Sequence, residues 1–235
     1  MEISNGVHII PGTVANVYLI VESTGLVLID TGFQSSAKKI SAYLNELGYD
    51  LPDVSHIVIT HADDDHYGSL AKLQSHSAAQ SYASPKEAEA IRNGTSSRSL
   101  KLNGIKKFGF WLLNRLVKAK PARIDVQVRD GQILPFLGGL QIIETPGHTP
   151  GHISVYCPSQ GILFAGDSMQ SDGERLSPSK GINTWDETEA ISSVRKQSRL
   201  GARIVCVGHG PVIYEASQKF ILPNGYHPQI EEPSL

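Results

Sequence analysis

The sequence predicts an α/β fold, and three observations carry that reading. Short runs of β-branched and other apolar residues, bounded by Gly, Pro, Asn or Asp, recur along the chain at strand length. Between them lie segments whose apolar residues fall at helical spacing. Four of the strand-like runs end in a residue able to ligate a metal, and strand ends are where a rigid sheet holds such groups in fixed geometry. With 235 residues, 40% hydrophobic and 19% charged, the chain has enough apolar surface for a sizeable core. No linker interrupts it, so 1–235 is read as one domain, with a helical, lid-like insertion at about 94–123.

In order, 7–10 and 15–20 read as the first strands of a meander, and 26–29 as a third that ends in Asp30-Thr31-Gly32. An Asp followed by Thr-Gly is a turn former, and it also stands where a carboxylate can orient metal ligands without touching the metal. A helix is expected over 35–47 from Ile40, Tyr43, Leu44 and Leu47, stopping at Gly48. The run 56–60 is a buried strand, and a helix starts near Gly68. A short strand at 81–83 precedes a helix over 85–92, opened by Pro85. Strands follow at 126–128, 132–134 and 140–143. The runs 153–156 and 161–165 form a hairpin pattern. Thr184 to Glu187 reads as a capping box for a helix to about Leu200. The run 203–207 is expected to be the last core strand, and the tail from Pro223 looks irregular.

The chemistry concentrates in Thr60-His61-Ala62-Asp63-Asp64-Asp65-His66-Tyr67-Gly68. Three consecutive carboxylates between two imidazoles repel one another unless a cation offsets them. Side chains 61, 63 and 65 are expected to share one side of a nearly extended turn, with His66 on the other. Later strand ends add His148 and His152 in a turn-rich loop, then Asp167 after Gly166, then His209 between Gly208 and Gly210. Glycine at these points lets backbones approach closely.

Charge is unevenly spread. From 91 to 124 there is no Asp or Glu, yet nine of the 21 basic residues lie there, leaving 12 basic against 23 acidic residues elsewhere. The stretch 105–117 carries Phe108, Phe110 and Trp111 among lysines and arginines, a basic amphipathic helix or helix pair. It is read as a lid over a small-molecule substrate, with homodimerisation through 94–123 as the competing account. A net charge of −2 gives no argument for nucleic acid. No apolar run reaches the ~18 residues of a membrane span. Cys157 and Cys206 read as buried small hydrophobes. With no signal-peptide pattern, a cytoplasmic address is expected.

The ordered set Asp30, His61-x-Asp63-x-Asp65-His66, His148, Asp167 and His209 resembles the loop pattern of the metallo-β-lactamase-fold superfamily, over about residues 7–211. The resemblance implies an αββα sandwich, two mixed β-sheets flanked by helices. It also implies two divalent metal ions, one held by His61, Asp63 and His148, the other by Asp65, His66 and His209, with Asp167 bridging. Residue 63 departs from the pattern, which has His there. A carboxylate is harder than imidazole, so iron or manganese become candidates beside zinc. The implied activity is hydrolysis by a bridging hydroxide that Asp65 and Asp167 orient, on an ester, lactone or thioester. Ser168-Met169-Gln170 stand where lactonases of this superfamily have Tyr, and Asp167 stands where the true β-lactamases have Cys or Ser. A flavodiiron-like oxidoreductase with a separate electron donor, and a phosphodiesterase, are the alternatives. Asp64 is read as no ligand, and His152 as structural or as a support behind the ligands.

Overall fold

A computed structural model of the chain describes residues 1–98 and 118–222. The stretch 105–117 and the tail from Pro223 lie outside the described residues, and with them most of the expected insertion. The chain divides into two compact units, Met1–Arg129 and Asp130–Leu235.

The first unit is built on a seven-stranded sheet: β1 (Glu2–Ser4), β2 (Val7–Ile9), β3 (Tyr18–Glu22), β4 (Gly25–Ile29), β5 (Val54–Val58), β6 (Gln80–Ala83) and β7 (Val126–Gln127), side by side in chain order. Strands β2, β3 and β4 form the expected antiparallel meander, with Tyr18 opposite Ile29 and Ile20 opposite Val27, and β1 adds to it antiparallel beside β2. From β4 onward pairing is parallel. The connections are therefore crossovers, made by α1 (Ser36–Glu46), α2 (Asp64–Tyr67), α3 (Leu70–Gln74) and α4 (Pro85–Asn93). Helix α1 buries Ile40 and Leu44 against Leu19, Leu28 and Ile57, which accounts for its apolar spacing. Helix α4 starts where Ser84 caps it ahead of Pro85, and ends at Gly94, left-handed at φ 63°.

Parallel pairing fixes where the chemistry emerges. Strands β4, β5 and β6 run the same way, so their C-terminal ends leave the sheet along one edge. Those ends deliver Asp30, Thr60-His61 and Ser84. The Asp30 N–H still bonds Val58 O at 2.8 Å, which keeps the first two adjacent.

The second unit holds a six-stranded sheet of β8 (Ile133–Leu134), β9 (Leu140–Glu144), β10 (Ile153–Cys157), β11 (Ile162–Gly166), β14 (Ile204–Val207) and β15 (Ile213–Tyr214), in the spatial order β15-β14-β11-β10-β9-β8. Strands β12 (Met169–Ser171) and β13 (Leu176–Pro178) form a separate hairpin. The β10–β11 hairpin is as expected, and β11 and β14 are parallel. Helix α5 (Glu187–Ser198) buries Val194 against Leu163 and Val205. Both sheets are mixed, and the α/β class holds. Cys157 and Cys206 are free thiols in the core, as expected, and burial pushes the Cys206 thiol up.

Three details differ from the sequence reading. Strands β1, β12, β13 and β15 were not expected, because segments of two or three residues carry too little alternation to stand out. The cap of α5 is Asp186, whose Oδ1 accepts from Thr188 N–H at 2.8 Å and Glu189 N–H at 3.1 Å. Thr184 is buried instead, with its hydroxyl 2.8 Å from that of Ser179. The acidic cluster is not extended throughout: Asp63 is (φ −90°, ψ 146°), but 64–67 form the helical turn α2. Asp65 therefore leaves the phase that the extended reading assigned to it.

Candidate metal centre

In the first unit Asp30 organises the loop after β5. It sits at φ 61°, a left-handed conformation that Asp tolerates better than most residues. Its Oδ1 accepts from Thr60 N–H at 2.8 Å, and its Oδ2 accepts from the Thr60 hydroxyl and from His66 Nδ1, each at 2.8 Å. Because Thr60 donates to Asp30, it accepts from His61 Nδ1, 2.9 Å away. Both imidazoles are thus held with Nδ1 protonated, which makes Nε2 the nitrogen that could ligate a metal. Both rings are fully buried, their centroids 4.0 Å apart and their planes tilted by 44°.

Gly68 lets this loop press on the Asp30 turn. A Cβ there would lie 2.3 Å from Asp64 O, 2.8 Å from Gln34 N and 2.9 Å from Gly32 O, all backbone atoms. Ser69 seals the contact, its hydroxyl donating to Phe33 O at 2.6 Å. Gly68→Ala is expected to cost about 1–3 kcal/mol of stability by overpacking. Denaturant titration of the variant checks this, and an unchanged midpoint would contradict the contact.

The carboxylates after His61 have separate partners. Asp63 Oδ2 stands 3.6 Å from His61 Nε2 and pairs with Arg98, while Oδ1 accepts from Ser96 Oγ at 3.1 Å. Asp64 turns away and accepts from Ala119 N–H at 2.9 Å, which agrees with reading it as no ligand. Burial pushes the Asp64 carboxyl up, and that backbone hydrogen bond opposes the shift. Asp65 is half-buried on α2. Glu87, fully buried on α4, accepts from Ala62 N–H at 2.8 Å and from Ser97 Oγ at 2.7 Å.

In the second unit the parallel pair β11–β14 puts Asp167 beside His209, and Gly208 N–H bonds Gly166 O at 2.8 Å. His148 arrives from the loop after β9. Its Nε2 and that of His209 each lie 3.5 Å from Asp167 Oδ2. His148 Nδ1 is 3.0 Å from Ser179 Oγ, so again Nε2 faces the carboxylate. Gly147, at φ 140°, lets the loop touch α5, where a Cβ would lie 2.3 Å from Ala190 N. His152 is no ligand: its Nε2 accepts from Asp167 N–H at 3.0 Å, and its Nδ1 meets Thr145 Oγ1 at 2.8 Å.

These donor sets fit metal ions. Two ligand atoms ~2.0–2.1 Å from one tetrahedral ion stand roughly 3.3 Å apart, close to the 3.5 and 3.6 Å seen here. Imidazoles that engage Nδ1 in a hydrogen bond and turn Nε2 toward a carboxylate just beyond hydrogen-bond range are a donor set that suits such ions. His61, Asp63, Asp65 and His66 offer ligand atoms from the first unit, and His148, Asp167 and His209 from the second.

Sequence reasoning missed Glu87, Ser179, Ser96 and Arg98. Glu87 left one signal, since it falls in helical phase with Ile91 on the apolar face of α4. The others are tertiary contacts with no local pattern.

Comparison with known proteins identifies the family and the fold. Residues 10–209 match the metallo-beta-lactamase superfamily. The chain is 31% identical over 213 residues to the uncharacterized protein YobT of Bacillus subtilis (strain 168), covering 87% of this chain and 86% of that one. It is 30% identical over 218 residues to the probable metallo-hydrolase YqgX of the same organism, covering 90% and 93%. A metallo-beta-lactamase family protein from Thermus thermophilus shares the fold with a TM-score of 0.73 at 23% identity, over 93% of this chain and 78% of that one. The chain belongs to the metallo-β-lactamase superfamily.

Proposed function

We propose that the chain is a hydrolase of ester, lactone or thioester bonds. In this reading the chain holds two divalent ions. His61, Asp63 and His148 would take one ion and Asp65, His66 and His209 the other, with Asp167 shared. The observation that supports this best is the common orientation of the histidines. His61, His66 and His148 each commit Nδ1 to a hydrogen bond, in two units that one family match spans. When bound, the ions would supply Lewis acidity and bring the pKa of a water toward neutrality. The residues do the rest. Asp30 and Thr60 hold the imidazoles in one tautomer, with Nε2 aimed outward from these contacts. Asp65 and Asp167 accept hydrogen bonds from the attacking water and hold it in line with the substrate carbonyl. A leaving thiolate needs little protonation, and a leaving alkoxide would be stabilised by a bound ion until water protonates it, so these substrates do not demand a dedicated acid.

Zinc is the ion proposed, with iron or manganese as alternatives because Asp63 is a hard ligand. That carboxylate also favours a second reading, a di-iron oxidoreductase fed by a separate donor. Metal analysis of the purified chain, with panels of aryl esters, lactones, thioesters and phosphodiesters, separates the readings. Two ions per chain and turnover of the acyl panels are expected. Turnover of phosphodiesters alone, or bound iron with donor-dependent oxygen consumption and no hydrolysis, would overturn the proposal.

A further inference from the structure

The Asp63 carboxylate already carries a cation. Its Oδ2, the oxygen 3.6 Å from His61 Nε2, is the atom that pairs with Arg98 Nη2. The Arg98 side chain is 6% exposed and that of Asp63 14%, so water screens the pair little. The arginine is also held in place from both sides. Ser96 donates to the other Asp63 oxygen at 3.1 Å, and Ser97 donates at 2.7 Å to Glu87, which in turn holds Ala62 N–H. Gly94, left-handed after α4, turns the chain toward the loop. An imidazole at position 63 would offer no negative charge to pair with, so the ion pair depends on this chain having Asp there.

We infer that Arg98 is a built-in competitor for the metal position that includes Asp63. A divalent ion on Asp63 Oδ2 would stand within a few ångströms of a fixed guanidinium, and like charges at that distance repel strongly in a partly dry site. The Asp63 position therefore fills second and weakly, with Arg98 leaving the carboxylate as the ion enters. The position built on Asp65, His66 and His209 is filled first. The inference rests on the two-ion reading above, and it makes the number of bound ions a function of free metal concentration.

The test is stepwise zinc and manganese titration of the metal-free full chain by calorimetry and equilibrium dialysis, in the wild type, Arg98→Met and Arg98→Lys. Wild type should show one tight and one weak site. Arg98→Met should tighten the weak site about 10-fold or more and leave the tight one unchanged. Arg98→Lys, which keeps the charge, should stay close to wild type. In an Asp63→His background Arg98→Met should have no effect on either step, the mark of a direct pairwise interaction. Should Arg98→Met fold poorly, the Arg98→Gln and Arg98→Lys pair gives the same comparison. Equal weakening of both sites in Arg98→Met, or two unchanged affinities, would overturn the competitor role while the two-ion reading stands. A wild type that never exceeds one ion at high metal would overturn both.

Discussion

Asp167→Ala is expected to lower turnover by about 10³-fold or more while the chain stays folded. The expectation follows from convergence on one atom: Asp167 Oδ2 lies 3.5 Å from Nε2 of both His148 and His209. An alanine there would leave two imidazoles aimed at a point with no anionic ligand. Folding should survive, because the local structure is held by backbone and neighbours rather than by this carboxylate. His152 accepts from the Asp167 N–H, and Ser168 is fixed by its hydroxyl bond to Ala165 O at 2.8 Å. The check is kcat on the best acyl substrate beside metal per chain and the thermal midpoint. Asp167→Asn, which keeps shape and one oxygen, should fall between. A fully active alanine variant with two ions bound would remove Asp167 from the site.

Much of this is legible in the sequence. Strand ends carry the candidate ligands because parallel pairing sends β4, β5 and β6 out on one edge, and β11 beside β14 on another. In the sequence that arrangement shows as β-branched runs ending in Asp30, His61, Asp167 and His209. The place of Asp30 at a strand end is readable as that of an orienting carboxylate, whereas the reading of Asp64 as no ligand rests on an extended phase that the helical turn at 64–67 does not keep, and its contact is with Ala119 N–H instead. What fails is local conformation inside the cluster. The extended reading of 61–66 ignores that Asp63 can stay extended while residues 64–67 wind into one helical turn. Nothing in the spacing of three carboxylates distinguishes those cases. The cap of α5 is misplaced for a similar reason, since Thr184 fits a capping pattern locally but is claimed by Ser179. Glu87 and Arg98 are out of reach because their partners, Ala62 and Asp63, are distant in sequence. A buried Glu in an apolar helix phase hints that a partner exists without naming it.

Removing the Asp30 carboxylate should do more damage than its distance from any ligand atom suggests. Three donors reach it: Thr60 N–H, the Thr60 hydroxyl and His66 Nδ1, each at 2.8 Å in a site 2% exposed. Asp30→Ala strands these donors and places alanine at φ 61°, a conformation it disfavours. Buried donors left unsatisfied cost ~1–3 kcal/mol each, so a loss of at least about 3 kcal/mol in unfolding free energy is expected. With His66 and His61 no longer held through Nδ1, metal affinity should fall roughly 10–100-fold as well. Asp30→Asn separates the two effects. Asn tolerates the left-handed backbone and keeps one acceptor, so most of the stability should return. Its amide carries no charge and presents N–H where His66 or Thr60 must donate, so the affinity loss should persist. The measurements are denaturant unfolding of the metal-free chain and competition against a chromophoric chelator. An Asn variant that binds zinc as tightly as wild type would make Asp30 a structural tie for the turn, with no hold over the histidines.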